Sequence, residues 1–499
     1  MLRLIFLLPA IFASTAAAQY FAISVIDDQT GRGVPLVELE TTNNQIFITD
    51  SAGLIAFNEP GLMDRDVYFH VRSHGYEYPK DGFGFRGVRL TPRVGQTATV
   101  KIRRVNVAER LYRQTGQGIY RDSVLLGRKP PTANPVINGM VMGQDSVATI
   151  VYRGKIFWFW GDTGKTSYPL GNFSMSGATS ELPSRGGLPP GEGVNLNYFT
   201  DETGFSRKMC PWPEPGMMWL DGFMTLPDDT GRERLVARYC RMKSLGETLE
   251  QGLVLYNDTR EIFEKWTPFD LKERRIAKGQ AFRVAGDAGD YYYFPFPYPS
   301  LRVRAQWKQI GDPANYEAFT CLAPGSRFSK SAPKLDRSAD GKLLWSWKRD
   351  ADPITPAEQK ELIAGGHMKQ EEAWYRLSDV ESGKPVQIHA SAVHWNEFRK
   401  RWIMIGEEIG GTSLLGELWY SEADAPEGPW ERGRKIVTHD KYTFYNPAHH
   451  TMFDEQGGRF IYFEATYTAE FSGNPIKTPR YDYNQIMYRL DLSDPRLKF

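Results

Sequence analysis

A hairpin pattern that recurs five times constrains the fold of this chain more than any other sequence feature. Each copy consists of a strand, a polar turn and an aromatic-rich strand, and the copies span 146–164, 222–240, 281–296, 391–408 and 451–468. A hairpin that returns at intervals of tens of residues is typical of propeller blades. The sequence therefore predicts an all-β chain whose larger domain, residues 135–499, is a five-bladed β-propeller. A two-sheet sandwich is the alternative.

Between the hairpins the sequence predicts outer strands, one helix and one long loop. Apolar stretches at 253–257, 343–347, 418–423 and 486–492 are the predicted outer strands. A capping box that starts at Thr355, with proline at the first helical position, predicts a helix that ends at Gly365. Residues 170–200 are rich in Gly, Ser and Pro and predict a long loop.

Residues 20–104 form a separate first unit of short alternating strands. The order D-x-x-T-G, T-D-x-x-G and then SHGY at 73–76 resembles the carboxypeptidase-regulatory-like (transthyretin-like) β-sandwich. That resemblance implies a structural companion domain without chemistry of its own. Residues 105–134 are predicted to be a linker, in which 106–116 form a short helix.

The first eighteen residues predict a secretory signal peptide, residues 1–18. Arg3 supplies the positive region, an apolar run follows, and Ala16 to Ala18 form the cleavage site. The apolar run is too short to span a bilayer. We therefore expect a secreted or periplasmic protein without membrane insertion.

Charge and cysteine content exclude several classes of protein. The 61 basic and 60 acidic residues argue against a nucleic-acid binder, which would be strongly basic. Cys210 and Cys240 flank a hairpin and could pair in an oxidising compartment, which leaves Cys321 unpaired. Phosphate-binding loops and a G-x-S-x-G elbow are absent from the sequence. No cofactor is predicted, a structural calcium stays open, and so does the oligomeric state.

Propeller geometry predicts where the chemistry lies. The starts of the innermost strands and the ends of the second strands converge on one face of the ring. The residues predicted there are Gln144, Asp145, Trp219, Asp221, Gln280, His389, Ser391, Asn446, His449 and His450 at strand starts, and Asp162, Arg241, Phe296, Glu407, Glu408 and Glu464 at strand ends. Few of them are apolar, so we expect a polar site at this face.

Two phrases in the propeller region resemble a known enzyme group. The sequence of residues 143–164 is similar to the first blade of the five-bladed glycoside hydrolases, which include arabinanases, β-xylosidases and invertases. GDTG at 161–164 and WYSEADAPEGPW at 419–430 resemble the bacterial endo-D-arabinanase-like propellers. The resemblance implies hydrolysis of a polysaccharide or oligosaccharide, with Asp145 in the position of the general base. It implies no particular general acid.

Glycoside cleavage needs two carboxyl groups across the scissile bond. We predict Asp145 as the base and Glu407 or Glu408 as the acid. The two glutamates are adjacent on a strand, so only one of them can face the channel. Asp162 or Asp221 would orient or tune them. The predicted substrate-binding residues are Trp219, Arg241, Gln280, His389, Asn446, His449, His450 and Glu464. No metal is predicted, because adjacent histidines on a strand point apart.

Other interpretations stay open at this stage. Asp162 and Asp221 are equally typical turn residues, and Glu464 could form a structural ion pair. The second function is a polysaccharide lyase, with His389 or His449 or a tyrosine as base and Arg241 neutralising a uronate. The third is a glycan-binding propeller without catalysis. The tyrosine-rich stretch 481–484 is a sugar platform or a surface loop.

Overall fold

The computed structural model describes residues 19–287 and 289–499, and these fall into two units. The first unit contains the described residues up to Ser73, together with Tyr78–Arg103 and Tyr120–Pro130. The second contains His74–Glu77, Arg104–Ile119 and Pro131–Phe499. The predicted signal peptide lies outside the described residues. In the part that is described, no helix is both long enough and apolar enough to cross a membrane.

Strands dominate both units. In chain order they are β1 (Phe21–Asp27), β2 (Glu38–Thr41), β3 (Ile46–Ile48), β4 (Leu54–Phe57), β5 (Val67–Arg72), β6 (Tyr76–Glu77), β7 (Gly87–Leu90), β8 (Thr97–Arg104), β9 (Glu109–Arg113), β10 (Val141–Gln144), β11 (Val147–Tyr152), β12 (Lys155–Trp160), β13 (Thr163–Lys165), β14 (Tyr168–Asn172), β15 (Ser176–Glu181), β16 (Asn197–Tyr198), β17 (Met217–Pro227), β18 (Glu233–Ser244), β19 (Glu247–Asn257), β20 (Ile262–Phe269), β21 (Phe282–Val284), β22 (Tyr291–Pro295), β23 (Pro299–Arg304), β24 (Glu317–Thr320), β25 (Ser346–Lys348), β26 (Ser378–Asp379), β27 (Ile388–Asn396), β28 (Arg401–Ile409), β29 (Leu415–Ala423), β30 (Arg432–Val437), β31 (Thr443–His449), β32 (Phe460–Thr468) and β33 (Asn484–Asp491). The α-helices are α1 (Arg121–Leu125), α2 (Trp307–Ile310) and α3 (Pro356–Ala364).

The first unit contains two sheets that pack face to face. One has β4 antiparallel to β1 and β1 parallel to β8, and the other has the order β3-β2-β5-β7. Phe57 of β4 contacts Phe47 and Phe69 of the other sheet, with ring centroids 4.9 and 5.4 Å apart. Alternating strand residues bury these rings between the sheets. The short α1 is tied to this unit through Asp122, whose carboxylate accepts from the backbone N–H of Ala56.

The second unit contains five sheets of four or five strands, each built mainly from consecutive antiparallel strands. Their orders are β11-β12-β15-β16, β17-β18-β19-β20, β21-β22-β23-β24-β25, β27-β28-β29-β30-β26 and β31-β32-β33-β9. A small sheet, β10-β13-β14, continues from the first of them.

The five sheets follow one another around a ring. Strand β11 contacts β17, β22 contacts β27, β27 contacts β31, and β31 contacts β11. The second and third sheets are joined by the N–H of Gly222, which donates to Gly279, and by the hydroxyl of Tyr292, which donates to Thr225. A ring of meander sheets that presents inner strands to a common centre is a β-propeller. The predicted all-β class is thus confirmed.

The short helix predicted at 106–116 is wrong. Those residues contain β9, which pairs antiparallel with β33 and completes the last sheet of the ring. Leu111 and Tyr112 are 0% and 1% exposed, so both faces of the strand are buried. The side chain of Arg110 donates to the hydroxyl of Tyr488 at 3.1 Å. A local pattern cannot anticipate a partner near the other end of the chain, and this long-range pairing decides the conformation.

Two further predictions need correction. The predicted loop at 170–200 contains β15, which is the third strand of its sheet because it pairs with β12 along its full length. The fifth hairpin does not begin at 451, since its first strand is β31. Two 3₁₀ turns, Thr451–Phe453 and Gln456–Gly458, lie between β31 and β32. The capping box is as predicted, with the Thr355 hydroxyl accepting from the N–H of Glu358 at 3.2 Å. Cys210, Cys240 and Cys321 are buried free thiols, so no disulfide joins the first two.

Candidate active site

Asp145 and Asp162 lie opposite each other where a long hairpin is interrupted. Asp145 separates β10 from β11, and Asp162 separates β12 from β13. The flanking pairs Gln144↔Thr163 and Val147↔Trp160 keep the two chains in one register. The N–H of Asp145 donates to the carbonyl of Asp162 at 2.9 Å. Two carboxyl groups that face each other across a hairpin repel when both are ionised.

The carboxyl group of Asp145 is held by two hydroxyl groups. Its Oδ1 accepts from Ser146 Oγ at 2.6 Å and from the phenol of Tyr445 at 2.5 Å. Burial raises the pKa of Asp145, while both hydrogen bonds oppose that rise because they favour the carboxylate. Asp145 as a residue is partly exposed.

Asp162 has the stronger tendency to stay protonated. Burial, and after it the charge of Asp145, raises the pKa of Asp162 to about 7, and only a hydrogen bond from Trp219 opposes this. Its buried Oδ1 has no hydrogen-bond partner among the described residues. Two carboxyl groups whose surroundings separate their pKa values are the usual arrangement of an acid and a base in one site. At neutral pH one of this pair can donate a proton while the other accepts one.

Glu470 is a third carboxylate at this site, and sequence reasoning missed it. Its charge contributes to the raised pKa of both Asp145 and Asp162. The hydroxyl of Tyr483 donates to Glu470 Oε2 at 2.8 Å. The residue follows the end of β32. The predicted hairpin ended at 468, as β32 does, but Glu464 inside the strand was taken as its channel carboxylate and the residues just beyond the strand were not considered. Tyr483 shows that the 481–484 stretch borders the site.

Glu407 lies behind the site and supports it. The side chain is 0% exposed, and its Oε2 accepts from the backbone N–H of Asn446 at 2.8 Å. Burial raises the pKa of Glu407 to about 8. The side-chain amide of Asn446 donates to Ser146 Oγ at 2.7 Å, and that hydroxyl in turn donates to Asp145. Glu407 therefore reaches Asp145 only through Asn446 and Ser146.

Glu408, one of the two alternatives for the general acid, and Arg241, a predicted substrate-binding residue, do not contact these groups. Glu408 Oε2 accepts from the indole of Trp419 at 2.8 Å, because its side chain alternates with that of Glu407 and points to the outer strands. Arg241 donates to the carbonyl of Pro215 at 2.7 Å and pairs with Glu250 of β19. The sequence missed the arginine that does face the predicted set, Arg238.

Arg238 pairs with Asp221 directly opposite it on β17 and β18. The guanidinium donates to both carboxylate oxygens at 3.1 and 3.3 Å. The N–H of Gly279 also donates to Asp221, at 3.3 Å. Asp221 therefore serves as a partner for Arg238 and is not free for acid or base chemistry.

Lys278, Phe296 and His389 lie next to this pair. The ammonium of Lys278 is 3.6 Å from the centre of the Phe296 ring, and that ring is 5.9 Å from the ring of His389. Burial and then the charge of Arg238 lower the pKa of Lys278. Burial and then the charge of Lys278 lower the pKa of His389, so the imidazole is neutral near pH 7. Gln280 crosses from the third sheet to the first, where its amide donates to the carbonyl of Val147 at 2.9 Å.

His449, His450 and Glu464 are buried away from these groups. His449 contacts Asp454 at 2.9 Å, and His450 contacts the hydroxyl of Thr149 at 3.0 Å. Glu464 lies 3.8 Å from His450 and is 0% exposed. Their burial favours a structural role over direct contact with a sugar. Within residues 19–287 and 289–499, no cluster of three or more His, Cys, Asp or Glu side chains is arranged to hold a metal.

Comparison with known proteins does not assign this chain to a family. No family model and no curated protein matches this chain. Among solved structures, an exo-β-1,3-galactanase from Phanerochaete chrysosporium with galactose aligns over 77% of this chain and 65% of its own, at 9% identity and a TM-score of 0.39. The GH43_1 enzyme from Xanthomonas citri complexed with xylose aligns over 70% and 87%, at 11% identity and a TM-score of 0.33. At such low scores neither the fold nor the activity of this chain follows from these likenesses.

Proposed function

We propose that the chain is an exported glycoside hydrolase that cleaves a polysaccharide or oligosaccharide at Asp145 and Asp162. The observation that carries the proposal is the facing pair of carboxyl groups on one interrupted hairpin, with the pKa of Asp162 raised to about 7. In this proposal the second unit is a five-bladed propeller and the first a carboxypeptidase-regulatory-like sandwich. Residues 1–18 are its signal peptide, and the protein acts in the periplasm or outside the cell.

The proposed reaction assigns one proton transfer to each carboxyl group. Protonated Asp162 gives its proton to the glycosidic oxygen as the bond between that oxygen and the anomeric carbon breaks. Ionised Asp145 takes a proton from the water that attacks the anomeric carbon. Ser146 and Tyr445 favour the ionised form of Asp145, and Trp219 orients Asp162. The net change is the addition of one water across the bond.

The role of general acid is thereby assigned to Asp162, although the sequence favoured Glu407 or Glu408 for it. Glu407 has a suitably raised pKa, yet it is fully buried and bonded to the backbone of Asn446. Glu408 is bonded to Trp419 among the outer strands. Two of the groups predicted for a lyase are engaged elsewhere, since Arg241 is paired with Glu250 and His449 is buried against Asp454.

The test is to incubate the purified protein with plant, algal and bacterial polysaccharides while reducing ends and ultraviolet absorbance are followed together. New reducing ends without absorbance, lost in Asp145→Asn and kept in Glu408→Gln, are the expected result. Absorbance from an unsaturated product would indicate a lyase and refute the proposal. Glycan binding without turnover, unchanged by Asp145→Asn, would indicate a binding propeller.

A further inference from the structure

A cluster of positive charge lies beside the proposed catalytic pair, and it has fewer carboxylates than cations. Arg238 and Lys278 share one acidic neighbour, Asp221, which is already bonded to Arg238 through both oxygens. In the part of the chain that is described, Lys278 has no carboxylate within ion-pair distance. This cluster, Arg238, Lys278 and His389 with Phe296, is called the basic cluster below.

The positive charge of Lys278 is only partly compensated by the groups around it. Burial is the largest cause of its lowered pKa, which means that its surroundings disfavour the charge. The Phe296 ring at 3.6 Å offers a cation–π contact to the ammonium. Such a contact is weaker than a buried ion pair with hydrogen bonds. An anion bound here would gain a charge partner that the protein itself does not supply.

The basic cluster and the catalytic pair line the same wall. Trp219 and Asp221 are two residues apart on β17, so their side chains point to the same face. Trp219 bonds to Asp162, and Asp221 bonds to Arg238. A sugar chain held against Trp219 would thus reach both groups.

The bridge made by Gln280 gives a second connection. Gln280 donates to Val147, which follows Asp145 by two residues, and Lys278 precedes Gln280 by two residues. Because an extended chain advances at most about 3.6 Å per residue, the backbone of Asp145 lies within roughly 7 Å of Val147, and the backbone of Lys278 lies within the same distance of Gln280. The two sites therefore lie within the length of a short oligosaccharide.

We propose that the basic cluster is a subsite for an anionic substituent of the glycan, a carboxylate or a sulfate ester, on a sugar beside the scissile bond. Lys278 supplies the charge, His389 and Gln280 supply hydrogen-bonding groups, and Asp221 keeps Arg238 in place. The substrate class is then an acidic polysaccharide. The position of the subsite beside a scissile bond rests on the proposed function, whereas binding of the anionic group does not depend on it.

The test measures binding and turnover separately. Binding is measured by calorimetry on the full chain carrying Asp145→Asn, with oligouronates, sulfated oligosaccharides and the same oligouronates after reduction of their carboxyl groups. Lys278→Gln is compared with Lys278→Arg, which keeps the charge. The matched control is Lys435→Gln, whose ammonium lies over the Trp419 ring at 5.2 Å among the outer strands.

One acidic ligand should bind roughly 10- to 100-fold more tightly than its reduced or neutral counterpart, as expected for one charge-assisted contact. Lys278→Gln should remove that preference, while Lys278→Arg and Lys435→Gln retain it. The preferred ligand distinguishes a carboxylate from a sulfate ester. Equal affinity for charged and neutral ligands in the Asp145→Asn chain with Lys278 unchanged overturns the subsite, and this comparison requires no folded Lys278 variant.

Turnover separates the subsite from the proposed function. Hydrolysis of neutral glycans with no effect of Lys278→Gln would overturn the subsite and leave the hydrolase standing. Charge-dependent binding without turnover of any glycan would support the subsite and refute the hydrolase.

Discussion

Tyr445→Phe removes one of the two hydroxyl groups that donate to Asp145 and leaves the ring in place. The hydrogen bond favours the carboxylate, so its loss raises the pKa of Asp145. A base must be ionised to act, and the acidic limb of the pH profile therefore moves to higher pH. Ser146 still donates to the same oxygen in the variant, which limits the size of the change.

The expected magnitude follows from the strength of that bond. A hydrogen bond to a charged group contributes about 1.5–3 kcal/mol, and one pKa unit corresponds to about 1.4 kcal/mol. With the Ser146 bond retained, we expect a shift near the lower end, about 1 unit. The alkaline limb, set by loss of the Asp162 proton near pH 7, should stay in place.

The assay is the pH dependence of kcat/KM from reducing ends, which reports the groups of the free enzyme. Tyr483→Phe is the matched control, because it removes a neighbouring phenol that donates to Glu470 and leaves both bonds to Asp145 intact. An acidic limb that stays in place or moves to lower pH in Tyr445→Phe would refute the role of Asp145 as base. Equal shifts in both variants would do the same.

Two further predictions concern stability. Glu407 has a pKa of about 8 in the folded protein against 4.5 ordinarily, so the folded state holds its proton more tightly and wild-type stability falls as pH rises from about 4.5 to 8. Glu407→Gln cannot ionise, so its stability should fall less with pH, and at pH 8 it should be more stable than wild type by up to a few kcal/mol in urea unfolding. If the difference in unfolding free energy between the variant and wild type is the same at pH 5 and pH 8, this prediction is contradicted. Leu111→Ala leaves a cavity in β9, the strand that completes the last sheet, and should cost about 2–5 kcal/mol in the same experiment. A loss below 1 kcal/mol, like that of an exposed control such as Leu245→Ala, would show that the closure by β9 contributes little.

The sequence predicts the parts of this fold that depend on neighbouring residues. The hairpin around Arg153 is visible because alternation and turn chemistry are local, and the cap at Thr355 is visible for the same reason. The conformation of Leu111 depends on a partner strand near the C-terminus, so its sequence could not reveal it.

The candidate site shows the same division. Asp145 and Asp162 were predicted because they flank a recognisable hairpin. Arg238 was missed because its importance depends on the residue opposite it, Asp221. Glu470 was missed because Glu464, earlier on the same strand, was taken as the carboxylate of that strand end. Register and boundaries, which pairing decides, are the information that the residue pattern lacks.

The most direct test of the central claim compares Asp162→Asn with Glu407→Gln in kcat/KM on one hydrolysed glycan, with binding measured in parallel. Asp162→Asn should lose roughly 10²–10⁴-fold, the usual contribution of a general acid, while its affinity for the glycan is unchanged. Glu407→Gln, which still accepts from Asn446, should stay within about tenfold of wild type. Loss of activity in Glu407→Gln with Asp162→Asn still active would contradict the assignment of the facing pair as the catalytic groups.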